Sequence, residues 1–244
     1  MGKQTNLKLA TTAANLIFYK RLGGHYIRSK PTTVKRTAAT KASAIKFGEA
    51  IRLCKATRQA LAPLLPGINN KPLMHRLNNS YYQWLLGNNA GNGNALQSIT
   101  QLKGFELNES SSCIKLLKIK LQSNWQSPSQ VQLLVPAFNP VKSIIAPAST
   151  ATISLQALLT AVDIPTATVT AVNSIQSLFE YKDVSESPRV ITLPYTLSSQ
   201  QVYVLAVALG YHRATAFATV LENEVKWLPA MILEAMYYLP GLPT

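Results

Sequence analysis

The sequence has few acids, few histidines and few cysteines, and each shortage removes a class of chemistry. Two cysteines, Cys54 and Cys113, cannot build a disulfide framework or a four-ligand structural zinc site, and they read as buried thiols. His25, His75 and His212 are the only histidines and fall into no H-x-x-x-H or H-E-x-x-H spacing, so no metal site is expected. The ten acids include two aspartates, Asp163 and Asp183, and most stand in polar, loop-like contexts where solvated charge explains them better than acid–base chemistry. No G-x-S-x-G elbow occurs. The Gly/Asn-rich run "GNNAGNGN" (87–94) lacks the terminal Lys-Ser/Thr of a phosphate-binding loop. No enzyme, cofactor or small-molecule substrate is therefore predicted.

Long apolar runs are also missing. The longest, "VYVLAVALG" (202–210), has about half of the ~20 residues that a membrane-spanning helix needs. The N-terminus has neither the continuous apolar core nor the A-x-A-like site of a secretory signal. Asn6 stands where a myristoylation motif wants Ser or Thr. The expected setting is the cytoplasm or an assembled particle. A chain of 244 residues can bury roughly 70 % of the surface that its unfolded form exposes, so a core without staples is feasible.

What is abundant is positive charge, and it is segregated. Residues 1–76 hold fifteen of the 24 Lys/Arg and a single acid, Glu49, whereas the nine cations and nine acids that follow cancel. The whole net charge of +14 thus belongs to the first third of the chain. Within it, "NLIFYKRLGGHYIRSKP" (15–31) reads as two short strands around a Gly23-Gly24 turn. That turn would pair Leu22 with His25, Lys20 with Ile27 and Phe18 with Ser29. On the other face, Arg21 would meet Tyr26 and Tyr19 would meet Arg28 as cation–π pairs. Pro31 ends the second strand. A lone two-stranded hairpin is marginal in water, so this one has to dock on something.

Residues 37–65 have helical spacing, with Phe47, Ile51, Cys54 and Leu61 as the apolar stripe and Lys46, Glu49, Arg52, Lys55 and Gln59 as the polar one. Thr37 or Thr40 would cap the start, and Pro63 and Pro66 mark the end. A second helix is expected over 71–86, with Leu73, Leu77, Tyr81 and Trp84/Leu85 on one side. From about residue 99 the pattern changes to short β-rich runs: "GFELN", "IKLLKIKLQ", "QVQLLVPAFN", "ATISLQALLTAV", "TVTAVNSI", "RVITLPY" and "QVYVLAVALGYH". Their regular spacing predicts a sandwich. For residues 225–242 the residue types allow a helix, while Pro229 and Pro240 favour bent strands.

The run Phe18-Tyr19, Gly24, Tyr26 and Arg28-Ser29-Lys30-Pro31, with "GFELN" (104–108) and "VPAFNP" (135–140), resembles patches of a family of uncharacterised Bacteroidota proteins. That resemblance implies a bacterial source and a β-rich C-terminal part, and brings no activity or site residues with it.

The sequence therefore predicts an α+β chain: a basic hairpin arm (1–36), a helical segment with a Gly/Asn linker (37–94), and an all-β sandwich (95–244), immunoglobulin-like or jelly-roll-like. The leading function is a non-catalytic structural subunit that binds copies of itself. The hairpin would supply the contact: Phe18, Tyr19, Tyr26 and Ile27 as apolar groups, Lys20, Arg21, Arg28 and Lys30 as charges. The alternative is nucleic-acid binding, with Lys35, Arg36, Lys41, Lys46, Arg52, Lys55 and Arg58 on phosphates.

Overall fold

Two apolar runs, over residues 150–163 and 201–214, scarcely alternate with polar residues, so both faces of the strands they form need cover. The fold supplies it. The computed structural model describes residues 2–4, 12–13, 15–31, 36–66, 70–87, 96–125, 129–215 and 218–238. The Gly/Asn-rich run after Gly87 lies outside them, as do Lys35 and Pro240. The chain divides into two compact units, Met1–Ser43 and Ala44–Thr244.

In chain order the elements begin with β1 (Gly2–Gln4), β2 (Thr12–Ala13), β3 (Leu16–Arg21), β4 (Gly24–Ser29), α1 (Ala38–Leu61) and α2 (Asn70–Gly87). Then come β5 (Leu96–Ser98), β6 (Phe105–Glu106), α3 (Cys113–Leu116), β7 (Gln122–Asn124), β8 (Gln130–Val135) and α4 (Pro140–Ser143). The chain closes with β9 (Thr150–Asp163), β10 (Val169–Glu180), β11 (Arg189–Pro194), β12 (Gln201–Ala214), β13 (Thr219–Leu221) and β14 (Ala230–Tyr238). The protein is α+β with a β-sandwich.

A large antiparallel sheet runs β10-β9-β12-β14-β5, with β13 beside β12 and β6 beside β14, and a small one runs β11-β8-β7. Odd-numbered residues of β9 and β12, among them Leu155, Leu159, Leu205 and Tyr211, share a core with Leu133 and Leu193 of the small sheet. The even-numbered Leu158, Val162, Val202 and Val204 share a second core with Leu53, Leu61, Leu73 and Leu77 of the helices. The large sheet is thus a middle layer. A helix layer covers one of its faces and joins the helices to the sandwich through a common core.

Thr37 caps α1: its hydroxyl accepts from the Thr40 N–H at 3.1 Å. A single 3-10 turn holding Pro63 ends the helix. The buried stripe of α1 is Ala50, Leu53, Cys54, Thr57 and Leu61, whereas Phe47 and Ile51, expected in the core, are 46 % and 41 % exposed. Small residues win the inner face because they admit the neighbouring layers closely, and Thr57 spends its hydroxyl on Tyr81 at 2.6 Å. Phe47 instead packs edge-on against Tyr82. On α2, Leu73, Leu77, Tyr81 and Trp84 are buried as expected, and Trp84 meets Tyr237 of β14 edge-on at 5.3 Å.

The run "IKLLKIKLQ" is not one strand. The Glu106 carboxylate accepts from the Cys113 and Ile114 N–H groups, and the Ser112 hydroxyl accepts from the Lys115 N–H, which together fix a helical turn over 113–116. Leu117 and Leu121 then anchor an irregular stretch in the core. The ambiguous tail resolves as a 3-10 turn (Val225–Trp227) followed by the strand β14, with Pro229 just before its start, where a missing N–H costs least.

Candidate interaction surface

The hairpin forms, with its turn one residue earlier than expected. Arg21 pairs with Gly24, Lys20 with His25, Tyr19 with Tyr26 and Phe18 with Ile27, so Leu22 and Gly23 make the bend. Both bend residues have positive φ, 47° and 78°, the geometry of a primed turn. The two glycines therefore do different work. Gly23 supplies the dihedral, whereas Gly24 leaves room for the Tyr26 ring, which a Cβ would meet at 2.9 Å. Partners shift by two residues, an even number, so every side chain keeps its expected face. Tyr19, Arg21, Tyr26 and Arg28 lie on one face, and Phe18, Lys20 and Ile27 on the other. Tyr19 stacks on Tyr26 at 5.7 Å and Arg28 sits over the Tyr19 ring at 5.8 Å, while the expected Arg21–Tyr26 opposition is not formed. Lys30 follows β4 with an exposed side chain, its N–H donating to the Asn15 carbonyl.

Short strands flank this hairpin in the order β1-β4-β3-β2. β2 pairs only with Leu16 and Ile17, so among the described residues no strand covers the outer edge of residues 18–21. None of residues 15–31 is buried, and Leu22 at the tip is 95 % exposed. Among the described residues, the aromatic and aliphatic groups of the hairpin are thus not enclosed in a core.

The cations proposed for phosphate binding are split among different tasks. Arg36, Lys41, Arg52 and Lys55 are exposed, the last two one turn apart on α1. Lys46 instead donates to the Leu85 carbonyl at 3.0 Å, capping the end of α2. Arg58 is half-buried beside Cys54, whose thiol burial pushes up to about 11. Burial likewise pushes Cys113 up to about 12, so neither thiol is a ready nucleophile at neutral pH. Among the described residues no three His, Cys, Asp or Glu side chains converge, and no helix is long and apolar enough to cross a membrane.

One polar cluster has no signature in the sequence. Where the helix-side face of the large sheet runs past the helices, its residues change from Leu158 and Ala208 to Gln156, Ser154 and His212. A cavity of about 210 Å³ opens there, walled also by Pro63, Leu64 and Gln176. The His212 Nε2 and Ser154 Oγ lie 2.9 Å apart across neighbouring strands. Burial lowers the His212 pKa and so favours the neutral imidazole. Among the described residues no carboxylate is hydrogen-bonded to His212, so none stands in the place of a nucleophilic triad's orienting acid. Gly210 makes room for it: a Cβ there would stand 2.5 Å from the Ser154 hydroxyl and 3.0 Å from a Leu221 methyl. Gly210→Ala should therefore lower stability by about 1–3 kcal/mol. In the Ser154→Ala background, where the hydroxyl is gone, the same change should cost clearly less, as paired denaturant titrations would show.

No family model and no curated protein matches the chain.

Proposed function

We propose that the chain is a non-catalytic structural subunit that associates with copies of itself through its basic N-terminal hairpin. One observation carries this reading: Phe18, Tyr19, Tyr26 and Ile27 stand on a regular sheet in which none of them is buried. Three or four strands hold in water when an apolar face is covered, and a neighbouring copy would supply the cover. Lys20, Arg21, Arg28 and Lys30 then need acids. Glu180 and Asp183 are exposed, whereas Glu186 is already taken by Arg189 at 2.6 Å. Such a contact weakens as salt screens it. Nucleic-acid binding is the second reading, favoured by the exposure of Arg36, Lys41, Arg52 and Lys55.

Among the described residues neither core holds a hairpin residue, so removing the arm takes no side chain from them. Light scattering should give the full chain an assembly of more protomers than the chain lacking residues 2–31. An unchanged mass would refute the hairpin contact. A labelled oligonucleotide that binds at 50 mM salt, and is lost by 200 mM, would favour the second reading.

A further inference from the structure

The large sheet has two very different edges. One is broken into the short strands β5 and β6. The other is β10, twelve residues long, with no Lys, Arg, Pro or Gly anywhere in "VTAVNSIQSLFE" and no charge before Glu180. Edge strands are ordinarily kept from pairing by such residues, by bulges or by being short. Here the one irregularity lies at the far end, between Val169 and Ala171.

The direction of the free backbone groups follows from the ladder. The Tyr181 N–H donates to the Ala151 carbonyl, so odd-numbered residues of β10 turn their groups toward β9. Even-numbered residues turn theirs outward. At Leu178 the outward carbonyl is taken by Arg189 at 3.0 Å. Val172, Ser174 and Gln176 remain, all exposed and, among the described residues, without a backbone partner on that side.

We propose that this edge pairs with the same edge of a second copy, antiparallel and two-fold symmetric about Ser174. The occupant is chosen by charge and by symmetry. A chain carrying +14 repels its copies over most surfaces, and its cations lie in the first third, away from this strand in sequence. β10 itself is neutral from Val169 to Phe179, with acids at Asp163, Glu180 and Asp183 flanking it. An antiparallel copy centred on Ser174 places Val172 opposite Gln176 of the partner subunit and Glu180 beside an uncharged threonine, so no like charges meet. Three pairs of outward residues give six backbone hydrogen bonds, and the Arg189 contact at Leu178 stops the pairing there. This contact concerns the same self-association as the hairpin but uses a different surface and does not depend on it.

Cysteine cross-linking tests the register. Directly opposed residues of a hydrogen-bonded antiparallel pair have Cα atoms about 5.5 Å apart, within disulfide range. Ser174→Cys in the full chain should therefore give a covalent dimer on mild oxidation. Val172→Cys alone should give none, because its counterpart lies roughly 13 Å along the strand. Val172→Cys with Gln176→Cys should cross-link again. Cys54 and Cys113 are buried and stay out of the reaction. No dimer from Ser174→Cys, or equal dimer from Ser174→Cys and Val172→Cys, overturns the pairing. Repeating the experiment with Arg21→Glu and Arg28→Glu separates the two contacts. A Ser174→Cys dimer that survives these changes supports the edge contact whether or not the hairpin reading holds. An oligomer lost on these changes, with no Ser174→Cys dimer in either form, supports the hairpin alone and sinks the edge.

Discussion

Leu77→Ala in α2 and Leu158→Ala in β9 should each lower stability by about 2–5 kcal/mol, and both should shift one and the same unfolding transition. Both side chains are fully buried in a single core that spans the helices and the helix-side face of the sheet. Removing three carbons there leaves a cavity that the rigid middle layer cannot close. Were the helices a module separate from the sandwich, Leu77→Ala would move an early transition and leave the main one in place. Circular dichroism in the helical band and tyrosine fluorescence, followed through one denaturant titration, distinguish the two outcomes.

The second large effect is expected at Glu234. This half-buried carboxylate of β14 accepts from the Lys103 ammonium at 3.0 Å, the Trp125 indole at 3.0 Å and the Ser123 hydroxyl. Burial alone would raise its pKa, but these donors outweigh it and hold the group below the usual carboxylate range. The unfolded chain therefore binds a proton more readily than the folded one as acid is added. The stability contributed by Glu234 is complete at neutral pH and is lost as pH falls from the ordinary carboxylate range through the folded value. Glu234→Ala should cost about 2–4 kcal/mol at pH 7, since it strands two half-buried donors. Glu234→Gln should cost less and flatten the acid limb. Thermal melts between pH 3 and pH 7 test both.

How much of this was readable in advance depended on whether a feature is local. The two helices, the cap at Thr37 and the long strands β9, β10 and β12 follow from periodicity and end signals in neighbouring residues. The turn of the hairpin slipped by one position because Leu22, unlike Gly or Asn, gives no hint that it accepts a left-handed φ. On the inner face of α1, Cys54 and Leu61 are buried as expected, but Phe47 and Ile51 outrank Ala50 and Thr57 in hydrophobicity, whereas packing depends on volume. The apolar run of β12 was legible as a strand, yet its lack of alternation was also the sign of a layer covered twice. "IKLLKIKLQ" has strand composition, but a carboxylate seven residues before Cys113 decides its fold. The Ser154–His212 pair and the open edge of β10 come from strands paired across tens of residues. No single-sequence pattern encodes them.

Under the proposed self-association, the hairpin, about half of whose residues are exposed, is covered by a neighbour. Hydrogen exchange of the backbone amides of residues 16–29, followed as protein concentration is raised, reads this directly. Association predicts that these amides are weakly protected in dilute solution and become strongly protected as concentration rises. Protection that stays the same at every concentration would contradict it.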